Sequence, residues 1–270
     1  MEKFKDLKNK VILISGATGL IGSNLIEEYL DYEADVYGID IDKKKINLLL
    51  KKMKKIFPKG KISLLKCDIT KENEVKKTIK HILNKSKKID ILINNAASKT
   101  KNLKNFFNSF ETFNILDWKK IMDVNVNGAF LLTREASKDM IKKKNGNIIS
   151  IASIQGVVGN DKSIYSNSKF KGVKMSSPAV YSTSKSALIG LTRYLATYLG
   201  EFNIRSNSIS PGGIKGGQNK KFTQNYSKKV PLKRMGEINE IVHCVIFLSS
   251  NKSSYISGQN IIVDGGYTSW

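Results

Sequence analysis

Cysteine, histidine, proline and arginine are all scarce in this chain of 270 residues. The two cysteines, Cys67 and Cys244, each lie inside an apolar-rich segment. They read as buried free thiols of a reducing compartment, which excludes a disulfide-stapled fold. The two histidines, His81 and His243, stand far apart without ligand-like spacing, so no metal site is expected. No apolar run approaches the ~20 residues that span a bilayer, and no membrane partner is expected. Met1-Glu2-Lys3-Phe4-Lys5-Asp6 carries acidic residues where a secretory leader would be apolar, so the expected location is cytoplasmic. No linker rich in Pro, Gly or Ser divides the chain, and it has no internal repeat. The expectation is one domain spanning 1–270.

Acidic residues are also in short supply. Asp and Glu number 23 against 46 Lys and Arg, a formal charge of +23. Such a balance can signal nucleic acid. However, the only arginines are Arg134, Arg193, Arg205 and Arg234. Base readout and phosphate forks favour arginine, whereas lysine here is spread over most helical segments. No motif with stacking aromatics accompanies it. The basic residues read as a solvated surface, and no specific nucleic-acid partner is expected.

What is abundant is alternation. Val11-Ile12-Leu13-Ile14 is too short for a helix and reads as a buried strand, followed by helical spacing from Leu20 to Leu30. Strands are expected at 35–40, 62–66, 89–93, 147–151, 204–208 and 260–263. Helices are expected at 43–56, 71–83, 118–141, 181–199 and 239–248. Successive βα units with buried strands predict an α/β fold of the Rossmann type, a doubly wound parallel sheet. Two stretches, 98–114 and about 154–180, lack a period. Both follow strand C-termini, where such a sheet binds its ligand.

The first strand runs into Ser15-Gly16-Ala17-Thr18-Gly19-Leu20-Ile21-Gly22. Glycines in a strand–turn–helix context let backbone N–H groups approach a pyrophosphate at a helix N-terminus. Ser15, Gly16, Gly19, Ile21 and Gly22 are therefore candidate cofactor contacts. Asp40, after the second strand, can accept both hydroxyls of an adenosine ribose and would repel a 2′-phosphate. This favours NAD over NADP.

Further motifs follow in order: Cys67-Asp68-Ile69-Thr70, Asn94-Asn95-Ala96-Ala97, Val124-Asn125-Val126 and Ser153 after the fifth strand. Then come Tyr181-Ser182-Thr183-Ser184-Lys185, Ser210-Pro211-Gly212-Gly213-Ile214, and a closing run from Gly258 to Gly266. With this ordered set, from about Lys10 to Tyr267, the chain resembles the short-chain dehydrogenase/reductase family. The resemblance implies adenine contacts from Asp68 and Ile69, with Asn95 and Ala96 along the cofactor. Pro211, Gly212 and Ile214 would flank the nicotinamide. It also implies a catalytic set of Asn125, Ser153, Tyr181 and Lys185. Tyr181 and Lys185, four apart on a helix, share one face. A nearby ammonium and the positive nicotinamide would favour the phenolate of a tyrosine whose ordinary pKa is ~10. Ser153 would hold the substrate oxygen, and Asn125 would fix a water that relays protons.

A second Tyr-x-x-x-Lys runs from Tyr165 to Lys169. Spacing from Ser153 favours Tyr165. Context favours Tyr181, because Ala187, Leu188, Leu191 and Leu195 continue an apolar stripe, whereas Gly172 and Pro178 break the segment after Tyr165. Tyr165 is expected to be a loop aromatic in an insertion over the site. Met175 to Val180 is similar to the branch that includes flagellin-modification protein A, associated with bacterial surface-sugar biosynthesis. The small-molecule substrate expected from it is a sugar or sugar nucleotide. Two departures stand out: Ala97 replaces a common glycine, and Gly216 stands where threonine is frequent. Competing readings are a 3-oxoacyl-thioester reductase acting on an acyl carrier, and a non-catalytic nucleotide- or nucleic-acid-binding protein on the same fold. A homo-oligomer, dimer or tetramer, is expected, because helices 118–141 and 181–199 carry apolar residues on several faces, among them Ile189, Tyr194 and Tyr198.

Overall fold

The computed structural model describes residues 4–100 and 102–270. Strand β1 (Val11–Ser15) is buried along its whole length. Its side chains alternate between two faces, as the two-residue period of a strand requires. Ile12 and Ile14 join Leu25, Ile26 and Tyr29 of α1 (Leu20–Asp31) in one core cluster. Val11 and Leu13 join the opposite cluster, with Val75, Ile79 and Ile82 of α3 (Glu72–Ser86). A strand covered on both faces can be apolar throughout, which is why the first run showed no alternation.

The same logic repeats through β2 (Asp35–Asp40), α2 (Lys43–Ile56), β3 (Ile62–Lys66), β4 (Ile91–Asn94) and β5 (Gly146–Ile151). Beyond these lie α7 (Ala179–Leu199), β8 (Ile204–Pro211), α9 (Ile238–Ser249) and β9 (Asn260–Val263). The seven strands form one parallel sheet in the order β3-β2-β1-β4-β5-β8-β9. Strand order reverses between β1 and β4, and a crevice opens there at the C-terminal strand ends. The expected single α/β domain of Rossmann type is what the chain forms.

Several boundaries differ from the sequence reading. The helix expected at 118–141 starts earlier, as α5 (Ile115–Met122). It passes through a π-type turn at Asp123–Gly128 and continues as α6 (Ala129–Lys143). The wider turn breaks the 3.6-residue period and turns Asn125 inward, to complete burial. Two helices escaped the sequence reading, α4 (Leu103–Phe106) and α8 (Lys220–Lys229). The latter has only Phe222 and Tyr226 as buried anchors, too few to show a stripe. Within 154–180 lie 3₁₀ turns at Ile154–Gly156 and Lys162–Tyr165, and a hairpin of β6 (Lys169–Phe170) with β7 (Val173–Lys174).

Candidate active site

The crevice begins at the turn between β1 and α1. Gly16 has φ +65°, and a Cβ there would lie 2.8 Å from the Cα of Ala96. Only glycine allows this turn to press so closely on the end of β4. The contact is fastened by side chains. Ser15 Oγ accepts from the backbone N–H groups of Asn95 and Ala96, both at 3.1 Å. Asn95 Nδ2 donates back to the carbonyls of Ser15 (3.0 Å) and Gly16 (3.1 Å).

A cleft of about 720 Å³ spreads from this point. Gly16, Gly19, Ile21, Asp40, Asp68, Ile69, Asn95 and Ala96 line its outer part. Ser153, Tyr181, Lys185, Pro211, Gly212 and Ile214 line its inner part. Three expected residues lie outside this lining. Ser15, 1% exposed, sits beneath the floor. Gly22 packs within α1, where a Cβ would come 2.3 Å from the Gly16 carbonyl oxygen. Asn125 is behind the wall: its Nδ2 donates to Ser184 Oγ (3.0 Å) and its Oδ1 accepts from Ser98 N (2.8 Å). Its side chain therefore ties α7 to the loop after β4. Thr18, Lys99, Phe170 and Gln218 also line the cleft. Sequence reasoning passed over all four; only Thr18, inside the glycine turn, carried any local signal.

Where the cleft is deepest, β5 ends and α7 begins. Lys185 is 3% exposed, and its Nζ donates to the Ile151 carbonyl at 2.7 Å. Burial pulls its pKa down to about 8. The ammonium lies 5.7 Å from the centre of the Tyr181 ring. Burial raises the pKa of Tyr181, and a hydrogen bond with the Ser153 side chain opposes that rise. Desolvation by burial is the largest influence on both groups, and Lys185 Nζ reaches the Ile151 carbonyl beneath the phenol.

A second cavity, of about 250 Å³, shares Ser153, Tyr181, Phe170 and Lys99 with the cleft. Its walls come from 154–180 and α8. The hairpin reverses at Lys171 (φ 48°) and Gly172 (φ 82°), the positive φ pair that tight hairpins need. It is pinned by a bridge from Phe170 to Gln218 and by Asn219 N donating to the Lys169 carbonyl at 3.2 Å. Tyr165 belongs to this wall. Its hydroxyl accepts from Gln155 Nε2 (2.7 Å) and donates to Asn160 Oδ1 (3.2 Å), and burial pushes its pKa up to about 12. Lys169 lies in β6, so Tyr165 and Lys169 share no helix face. Phe222, Tyr226 and Tyr267 stack in series, with ring centres 5.8 and 5.1 Å apart.

Known proteins with the same layout are numerous. The family model described as Enoyl-(Acyl carrier protein) reductase matches residues 16–268. The 3-oxoacyl-[acyl-carrier-protein] reductase FabG of Thermotoga maritima is 30% identical over 264 residues, covering 96% of this chain and 98% of its own. The NAD-dependent glycerol dehydrogenase of Listeria innocua is 29% identical over 276 residues, covering 99% and 97%. Among solved structures, the short chain dehydrogenase of Leptospira borgpetersenii with bound NAD+ superposes with a TM-score of 0.86 at 35% identity. That match covers 99% of this chain and 96% of that one.

Proposed function

This chain belongs to the short-chain dehydrogenase/reductase family, and from that premise we propose that it is an NAD-preferring oxidoreductase of a sugar or sugar-nucleotide alcohol. The observation that carries the reading is the position of Ser153 and Tyr181 in the walls of both cavities. One cavity is dinucleotide-sized and the other is small and aromatic, so a reacting carbon at their junction meets both.

The outer cleft fits a nicotinamide dinucleotide. Gly16, at φ +65°, lets the turn after β1 press against Ala96, and the α1 N-terminus offers backbone N–H groups to a pyrophosphate. Asp40 stands at the C-terminal end of β2. NAD bound there supplies the hydride acceptor, or in its reduced form the donor. The protein's own part is the proton. Tyr181 gives its hydroxyl proton to the substrate oxygen in reduction and takes one in oxidation. The Ser153 hydroxyl orients that oxygen. Lys185, close to half charged near pH 8, exchanges protons with the site. Asn125 holds α7 in place through Ser184.

The polar wall supports a polyol substrate. Gln155, Tyr165 and Ser177 form a hydrogen-bonded row, with Ser177 donating to Gln155 Oε1. The neighbouring aromatic rings can stack on the C–H face of a sugar. A screen of sugars and sugar nucleotides with NAD, read by reduced-nicotinamide absorbance, tests this. The FabG relatives favour a second reading, reduction of a 3-oxoacyl thioester. Acetoacetyl thioester turnover with no sugar turnover would establish it instead.

Exposed Tyr194 and Tyr198, stacked with ring centres 5.7 Å apart on α7, support a homo-oligomer. Ile189, named with them as an apolar residue on another face of the helix, is buried at 6% exposure. Two free cysteines support a reducing, cytoplasmic setting. Among the described residues, no helix is long and apolar enough to cross a membrane.

A further inference from the structure

The smaller cavity is lined by one charged side chain among the described residues, Lys99. Every other lining group is apolar, aromatic or uncharged polar. Lys99 also lines the larger cleft, so it stands at the junction with Ser153 and Tyr181. Its position is fixed from behind, since the preceding residue, Ser98, donates its N–H to Asn125 Oδ1 at 2.8 Å.

The surroundings of this ammonium are unbalanced. Lys99 Nζ lies 4.6 Å from the centre of the Phe170 ring, and Lys171 Nζ lies 5.7 Å from the same centre. Two cations thus flank one ring of the hairpin. Among the described residues, no carboxylate forms an ion pair with either. Two lysines at this end of the sheet do have acidic partners: Lys45 with Asp42 at 3.4 Å, and Lys215 with Glu237. Desolvation, and after it the charge of Lys171, holds the pKa of Lys99 below the usual lysine range. Lys99 keeps part of its surface open to solvent, and what distinguishes it is position: among the described residues it is the one charged side chain that lines both cavities.

We infer that Lys99 is a specificity residue: it receives an anionic substituent of the substrate, carboxylate or phosphate, on the side facing the β6–β7 hairpin. The inference rests on the reading that this cavity holds the alcohol or carbonyl substrate. An ammonium is a compact point charge without the planar fork of arginine, so either anion suits it. Phe170 adds a face that keeps the ammonium aimed into the cavity through a cation–π contact. Neutral hydroxyls of the same substrate meet Gln155 and Tyr165 in the same lining.

The test reads Lys99 directly, independently of turnover. NAD-loaded protein is acetylated with acetic anhydride at constant ionic strength in chloride, and peptide mass spectrometry follows Lys99 against exposed Lys54. Malonate and glycerol 3-phosphate are the anionic probes, and glycerol is the neutral control. At about twice its Kd, a bound anion should slow Lys99 acetylation roughly threefold by mass action, with glycerol and Lys54 showing no change. Protection by malonate alone assigns a carboxylate; protection by glycerol 3-phosphate alone assigns a phosphate. Lys99→Met should leave NAD affinity, measured by calorimetry, unchanged. Equal acetylation rates with all three probes would overturn the inference. So would protection by NAD alone that anions do not extend, or loss of NAD affinity in Lys99→Met, because either result assigns the ammonium to the cofactor. Failure of every alcohol to reduce NAD would count against the oxidoreductase reading and leave the labelling result standing.

Discussion

One carboxylate oxygen of Asp40 accepts two hydrogen bonds from Thr18, from its backbone N–H at 3.0 Å and from its hydroxyl at 2.7 Å. The other oxygen meets only the more distant Asp42 N–H, at 3.2 Å. The glycine turn therefore holds the acidic residue that ends β2 and leaves one edge of it toward the cleft. A carboxylate so fixed cannot swing away from a 2′-phosphate. NAD should bind more tightly than NADP, and Asp40→Ala should narrow the gap by about tenfold or more, ~1.4 kcal/mol. Thr18→Val, which keeps the backbone bond, should narrow it less. Calorimetric titration of both cofactors into the three proteins decides; a wild type that prefers NADP refutes the assignment.

The two tyrosines should separate cleanly. Tyr181→Phe removes the proton carrier and should lower kcat by ~10²–10⁴ while NAD still binds. Tyr165→Phe loses the hydroxyl's bonds to Gln155, Asn160 and Ser177. It should raise KM with little change in kcat. The reverse pattern in steady-state kinetics would show that spacing from Ser153 outweighs helical context.

Lys185 makes a pH signature in stability. Its pKa is lowered from 10.5 to about 8 in the folded state. Between those values the unfolded chain holds the proton and the folded chain does not. Stability gained from this group therefore rises with pH across that window and is constant below it. Compared with Lys185→Met, the wild type should gain on the order of 3 kcal/mol from pH 8 to 10.5. Urea denaturation of both proteins at a series of pH values measures it; a difference that stays flat would mean an ordinary lysine pKa.

Association should depend on α7. Tyr194 and Tyr198 are 61% and 55% exposed and stack on each other, an apolar surface left open by the described residues. Light scattering at micromolar concentration should show more than one chain per particle. Replacing both tyrosines by lysine should shift that particle toward the monomer. A wild-type monomer would remove the basis of the prediction.

The sequence by itself determined whatever depends on local backbone periodicity. Short apolar runs followed by 3.6-residue stripes specified the βα alternation, because a strand buried on both faces and a helix buried on one differ in pattern. Tyr181 and Lys185 could be paired for the same reason: four residues make one turn, and the stripe through Leu188 and Leu195 showed that the turn was helical. Tertiary structure decided the rest. Thr18 meets Asp40 across 22 residues, and Ser15 meets Asn95 across 80, only because β1 lies between β2 and β4. The hairpin around Phe170 has two residues per strand, too few for any period, and exists through its bridge to Gln218. The protonation of Tyr181 also belongs to the fold, since its direction is set by how much water the assembled walls exclude, and exclusion is a property of segments brought together rather than of any one of them.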